Sequence, residues 1–252
     1  MKNELFSIGP VTIYGYGLMV AIAIIAAYVL SEYRAKKKGL DYEHIFTLAI
    51  WCLIGGTLGS KLLYFITIWK DIMKNPAIIL DFQNGFVVYG GIIGGIIGGF
   101  FYCRYKKWNF WEYFDLVMPQ MALAQGIGRI GCFLAGCCYG KKTESSIGIV
   151  FHDSAYAPNE VKLVPTQLLS AAFDIGLFAV LLFIDKKKKA HGQVAGAYLV
   201  LYSIGRFIIE FFRGDLERGS VGALSTAQFI AIFLCAAGVV IFLWAGKRKN
   251  AE

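Results

Sequence analysis

Residues 219–246 read GSVGALSTAQFIAIFLCAAGVVIFLWAG, an unbroken uncharged run that meets Lys247-Arg248-Lys249 at its end. A helix needs about 20 mostly apolar residues to cross a bilayer, and this run exceeds that length. Uncharged runs recur at 5–31, 45–60, 85–103, 116–128, 163–173 and 193–205. Several of them reach spanning length only by continuing across one embedded charge, at Lys61, Arg129, Asp174 or Arg206. The pattern predicts an all-α polytopic membrane protein of seven transmembrane helices, at about 11–33, 45–68, 86–104, 113–134, 165–184, 194–212 and 222–246. Composition agrees. Apolar residues make up 57% and charged residues 17% of the chain, with a mean hydropathy of +0.58; a soluble domain carries about 25% charged residues. The whole chain, 1–252, reads as one integral membrane domain without a soluble module or long linker.

Orientation follows from the basic residues that flank the runs. Arg34 with Lys36, Lys37 and Lys38, then Arg104, Lys106 and Lys107, then Lys186, Lys187, Lys188 and Lys189, then Lys247, Arg248 and Lys249 follow alternate helices, 14 in all. The other side holds Lys2, Lys70, Lys74, Lys141, Lys142, Lys162, Arg213 and Arg218, eight in all. This bias predicts an outside N-terminus and a cytoplasmic C-terminus. The start has Lys2 as its one basic residue and no small-residue cleavage site, so the first helix is expected to be permanent. The net charge of +8 is then topogenic and divided among short loops, which excludes a basic face for nucleic acid.

Three of the 25 lysines and arginines lie inside the apolar runs: Lys61, Arg129 and Arg206. A cation at a helix centre costs roughly 2.5–3.5 kcal/mol on insertion scales, and it persists where it meets a polar cavity or an anion. Lys61, near a predicted outer end, has the alternative of reaching the interface along its own stem. Arg129 sits in the densest segment, Gly126-Ile127-Gly128-Arg129-Ile130-Gly131-Cys132-Phe133-Leu134-Ala135-Gly136-Cys137-Cys138-Tyr139-Gly140. So many glycines predict an irregular backbone at membrane depth, tolerated only inside protein or beside water. A guanidinium grips phosphate bidentately, so Arg129 suits an anionic headgroup; an ion pair with Glu210 is the competing reading. Tyr202, Arg206, Glu210 and Arg213, at steps of four, four and three, predict one polar helical face directed into the bundle.

Other features have plainer readings beside functional ones. Tyr14-Gly15-Tyr16-Gly17-Leu18-Met19 fits an interfacial aromatic belt, and Gly55-Gly56 with Gly59-Ser60 fits close helix packing. Glycines recur every four residues in two rows through Tyr89-Gly90-Gly91-Ile92-Ile93-Gly94-Gly95-Ile96-Ile97-Gly98-Gly99, again a packing face, with the Tyr89 phenol at its mouth. Cys137 and Cys138 allow a disulfide on the outer side. As metal ligands, Cys132 and Cys137 lack a histidine or carboxylate at zinc spacing, so neither metal nor cofactor is expected. Cys52, Cys103 and Cys235 read as apolar filler.

The order and spacing of several segments resemble the bacterial prolipoprotein diacylglyceryl transferases across nearly the whole chain. The segments are Phe6-Ser7-Ile8-Gly9-Pro10, Tyr16-Gly17-Leu18-Met19, Tyr89-Gly90-Gly91, Asp115 before Pro119, Gly128-Arg129-Ile130-Gly131 with Phe133, Pro165-Thr166-Gln167-Leu168, and Arg206-Phe207-Ile208-Ile209-Glu210-Phe211-Phe212-Arg213. The resemblance implies transfer of a diacylglyceryl group from phosphatidylglycerol to the lipobox cysteine of a pre-lipoprotein signal peptide. The site would face the extracytoplasmic side of the bacterial plasma membrane. By the resemblance Arg129 and Arg206 hold the lipid phosphate, Glu210 and Tyr202 orient Arg206, and Tyr16 lines the headgroup cavity. Tyr89 joins the catalytic set, and Gly90, Gly91, Gly128, Gln167 and Arg213 join the substrate-binding set. The chain also departs from the family pattern. Tyr89 replaces a histidine, and Cys132-Phe133-Leu134-Ala135-Gly136-Cys137 replaces Asn-Phe-x-Asn-Gly-Glu. Val164 replaces another histidine, and Leu169-Ser170 replaces Tyr-Glu. A phenol with an ordinary pKa near 10 is a poor base for a thiol. The alternative reading is therefore a paralogue that performs another lipid-linked transfer, or thiol chemistry at Cys132, Cys137 and Cys138.

Overall fold

The structure, a computed structural model, describes residues 4–8, 11–80, 85–215 and 219–249. Lys2, Gly9, Pro10 and Arg218 lie outside the described residues. The order is β1 (Glu4–Ile8), β2 (Val11–Tyr14), α1 (Gly15–Lys37), α2 (Ile45–Thr67), α3 (Trp69–Lys74), a 3-10 turn (Pro76–Leu80), α4 (Val88–Tyr105), α5 (Phe110–Ala135), β3 (Ile149–Val150), β4 (Lys162–Leu163), α6 (Thr166–Lys187), α7 (Gln193–Glu210), β5 (Ser220–Val221), β6 (Leu224–Ser225) and α8 (Thr226–Lys249). Among the described residues seven long helices dominate, and α1, α2, α6 and α8 are long and apolar enough to cross a membrane. Many large apolar side chains on them are more than half exposed, among them Ile25, Leu58, Phe101, Phe233 and Val240. Such a surface is a liability in water and is normal against hydrocarbon. This is an all-α membrane protein.

Three boundaries differ by four residues from the sequence reading. Residues 11–14 belong to β2, paired antiparallel with β1, and α1 begins at Gly15. Val11, Thr12, Ile13 and Tyr14 are β-branched or aromatic, types that fit a pleated ribbon better than a helix start. α1 runs on to Lys37, so the basic residues Arg34, Lys36 and Lys37 sit in its last turn, where they complement the helix dipole. Residues 222–225 are likewise taken by a hairpin, whose turn places Gly222 at φ +62°, and α8 starts at Thr226.

The chain forms two compact units, Met1–Leu30 with Phe114–Glu252, and Ser31–Tyr113. In the second unit the predicted glycine face packs α4 on α2. A Cβ built on Gly94 would stand 2.1 Å from the Gly55 carbonyl oxygen, and one on Gly59 would stand 2.4 Å from that of Gly90. The two backbones touch because neither carries a side chain there. Lys61 is buried, its ammonium 5.1–5.3 Å from the ring centres of Tyr64, Phe65 and Phe86. Those rings offer their negative faces to the cation.

In the first unit Met118 and Ala122 of α5, Leu177 and Leu181 of α6, and Val194, Ala195, Ala197 and Tyr198 of α7 form a buried core. Asp115, fully buried on α5, ties these helices together. Its Oδ2 accepts from Lys188 Nζ and from the Gly192 N–H, both at 2.8 Å, and its Oδ1 accepts from the Ala195 N–H at 2.9 Å. It therefore caps the first turn of α7 from another helix. We expect Asp115→Ala to lower stability by about 3 kcal/mol, because a nearly buried ammonium and two amides lose their acceptor. Thermal unfolding in detergent, followed by circular dichroism, measures this; an unshifted transition refutes the clamp.

Candidate active site

The glycine-rich segment 126–140 is helical as far as Ala135, one residue beyond the helix end read from the sequence. Its glycines are contact points. A Cβ on Gly126 would meet Ile175 and the Ala171 carbonyl of α6, and one on Gly131 would meet Tyr16 and Met19 of α1. Beside Gly128 there is open space. Gly136, at φ +76°, ends the helix, and the Cys137 N–H returns to the Cys132 carbonyl at 3.1 Å. Cys138 also has a positive φ, +59°, rare for a residue with a Cβ.

This double turn carries the three sulfurs of Cys132, Cys137 and Cys138 to within 4.8 Å of one another. All three thiols are free and half-buried. The turn is held from the first turn of α6. Gln167 Nε2 donates to the Cys137 carbonyl and Thr166 Oγ1 to the Cys138 carbonyl, each at 2.8 Å. Just beyond, the Gly140 N–H donates to Val164, the Gly214 N–H to Tyr139 and the Lys141 N–H to Phe212. Gly140 admits no side chain there, since a Cβ would lie 2.4 Å from the Val164 carbonyl oxygen. The segments after α5, before α6 and after α7 are thereby knotted at one point. Hydrogen bonds from the Cys132 and Cys137 thiols, with the charges of Arg213 and Arg129, hold the Cys138 thiol well below the usual thiol range; the same sharing pushes Cys137 up.

Arg129 and Arg206 meet different surroundings. Arg206 Nη1 pairs with Glu210 Oε2 at 2.9 Å, an i,i+4 bridge with the carboxylate almost fully buried. Arg129 has no carboxylate within 4 Å among the described residues, so the competing pairing with Glu210 is not formed. Its electrostatic neighbours are Tyr202, Cys132, Cys138 and Asp174. Tyr202 also neighbours Arg206, and Asp174 is within electrostatic reach of both arginines. Asp174 is buried, and its Oδ1 lacks a hydrogen-bond partner. Tyr16 lies close enough to feel Arg129 and the three cysteines.

The sequence puts Arg213 on the same helical face as Arg206, but α7 ends at Glu210. Arg213 lies beyond it, bridged to Gly140, with Nε and Nη2 forked onto the two Asp215 oxygens at 3.0 and 2.5 Å. It lines a cleft with Lys141 and Ser225. Gln167 is occupied by the cysteine turn, although its Oε1 lacks a partner among the described residues. In the second unit Tyr89 is exposed in the first turn of α4, Gly90 is pressed against Gly59 and Leu63, and Gly91 faces Gly56 and Ser60. The sequence reading left Asp174 out of the site. Its only signal was a charge in mid-run.

Fold and site together define a polytopic helical membrane protein in which two arginines stand near a cluster of three thiols. The chain matches the model of the family described as prolipoprotein diacylglyceryl transferase over residues 3–244. A phosphatidylglycerol–prolipoprotein diacylglyceryl transferase of Clostridium tetani (strain Massachusetts / E88) is 50% identical over 242 residues, covering 96% of this chain and 97% of the relative. The second such transferase of Clostridium perfringens (strain 13 / Type A) is 48% identical over the full length of both. One from Dehalococcoides mccartyi (strain ATCC BAA-2266 / KCTC 15142 / 195) is 37% identical over 98% of this chain and 94% of its own. The chain belongs to the prolipoprotein diacylglyceryl transferase family.

Proposed function

We propose that this protein transfers the diacylglyceryl group of phosphatidylglycerol to the lipobox cysteine thiol of a pre-lipoprotein, the first step of lipoprotein maturation. The carrying observation is Arg129, a half-buried guanidinium in a membrane helix with no carboxylate within 4 Å among the described residues, beside a second arginine oriented by Glu210. The acceptor sulfur attacks the glyceryl carbon, the carbon–oxygen bond to phosphate breaks, and glycerol phosphate departs with the electron pair. Arg129 and Arg206 neutralise the charge that grows on the phosphate, which lowers the barrier directly. Glu210 and Tyr202 hold Arg206 in place. Tyr16, Gly128, Gln167 and Arg213 shape the substrate pocket, with Gly128 leaving room beside Arg129.

In this reading the chain is one membrane domain of seven spans in a bacterial plasma membrane. Its N-terminus lies outside, its C-terminus in the cytoplasm, and its site on the extracytoplasmic side, as the basic-residue bias supports. Membrane lipids surround it, and its partners are phosphatidylglycerol and the pre-lipoprotein signal peptide. The test incubates the purified protein with phosphatidylglycerol and a lipobox peptide and weighs the peptide. A diacylglyceryl adduct is expected. An unmodified peptide beside an active relative would refute the reading and favour the paralogue with other thiol chemistry, to which the cysteine cluster points.

A further inference from the structure

We propose that Cys132, Cys137 and Cys138 form a three-thiolate site for a divalent thiophilic cation of the zinc class, whose open fourth position takes the acceptor's cysteine sulfur. The sequence shows no zinc spacing, but the fold gathers three sulfurs within 4.8 Å of one another. With zinc–sulfur bonds of about 2.3 Å, a tetrahedral site spaces its sulfurs roughly 3.8 Å apart, so a small contraction closes it. A disulfide would use two of the thiols and strand the third, whereas a metal uses all three.

Apolar filling does not explain the arrangement. Cys138 holds a backbone conformation (φ +59°) that glycine adopts without strain, and such outliers collect at functional sites. The carbonyls of Cys137 and Cys138 are each fixed by a side chain of α6, the outer support that a ligand turn needs. Three thiolates on a divalent cation carry net charge −1, and Arg129, lacking a carboxylate partner among the described residues, is near enough to offset it. No histidine or carboxylate completes the group among the described residues. Three protein ligands and one vacancy mark a metal site that takes substrate, whereas structural zinc sites are closed by four.

The chemistry answers a gap in the pocket. Tyr89 stands where the family has a histidine, and a phenol is a poor base for the acceptor thiol. A thiol entering the fourth position binds as thiolate and releases its proton to water. That sulfur then attacks the glyceryl carbon, the carbon–oxygen bond breaks onto the phosphate, and the thioether, a poor ligand, leaves the metal. This last step rests on the transferase reading; the metal site does not.

Full-length protein, purified reduced in detergent, is titrated with Co2+ and with Zn2+. We expect one equivalent per chain, tetrahedral cobalt d–d bands and a thiolate-to-cobalt charge-transfer band. Cys132→Ser, Cys137→Ser and Cys138→Ser should each weaken binding by more than about 100-fold, beyond the roughly 10- to 100-fold that loss of an outer-shell partner costs, while Cys52→Ser leaves it unchanged. Absence of the charge-transfer band from protein whose thiols titrate as reduced overturns the site, as does a native disulfide between any two of them. Because the spectrum of the unaltered protein decides, a variant that fails to fold does not blunt the test. A lipobox peptide should shift the cobalt bands and its Cys→Ser form should not; no shift at saturation overturns capture of the acceptor. A bound metal with no peptide adduct refutes the transferase reading alone, and an adduct formed at full rate by metal-free protein refutes the metal's role alone.

Discussion

Arg129→Ala is expected to lower the rate of thioether formation about 100- to 1000-fold while the protein stays folded and membrane-inserted. Removing one preorganised donor from a site of growing negative charge has that magnitude in other enzymes. Arg129 has no ion pair among the described residues, and the neighbouring carboxylate, Asp174, has its Oδ1 unpartnered already, so the loss should fall on turnover and not on folding. Arg129→Lys should recover part of the rate as a point charge without the bidentate fork. The measurement is single-turnover adduct formation by mass spectrometry at saturating phosphatidylglycerol. An Arg129→Ala protein of full activity would remove the anion site. Arg206 calls for another design. Its alanine variant takes the ion-pair partner at 2.9 Å away from the buried Glu210 carboxylate, a loss of about 3–5 kcal/mol that would mix instability with catalysis. The double replacement Arg206→Met with Glu210→Gln removes the charge pair together and should be inactive but folded.

Gly94→Leu should prevent the second unit from assembling. A bare Cβ at this position already lies 2.1 Å from the Gly55 carbonyl oxygen, a distance that only backbone separation can relieve. Overpacking a soluble core costs about 1–3 kcal/mol, and a clash with rigid backbone along a whole helix pair should exceed that range. The expected result is loss of detergent-extractable, monodisperse protein. Gly176→Ala is the control, since a Cβ there meets nothing within 4 Å and removing a helical glycine is worth about 0.5–1 kcal/mol. If Gly94→Leu accumulates normally and unfolds at the same temperature, the α2–α4 contact is not close packing.

The glycine rows and the Arg206–Glu210 pair were legible in the sequence because both are properties of one helix. A four-residue step predicts which side chains share a face, and it placed the pair correctly. The same step failed at Arg213, since periodicity carries no information about where a helix stops. α7 ends where Gly140 and Gly214 cross, a contact between segments far apart in the chain. The N-terminal hairpin was missed for a related reason. Val11 to Tyr14 are apolar enough to extend a spanning run, and hydropathy does not separate strand from helix over four residues.

The long uncharged runs decided that hydrocarbon is the chain's solvent and that its backbone there is helical, because a continuous apolar run of spanning length satisfies its amides in lipid within its own segment. The pairing of charges and thiols was decided elsewhere. Arg129, Asp174 and Cys138 lie on α5, α6 and the turn after α5, and they become neighbours only when Gly126 and the Gly140 crossing draw those elements into contact. The sulfurs of Cys132 and Cys138 converge through two left-handed residues, a local geometry that packing, and no spacing rule, imposes.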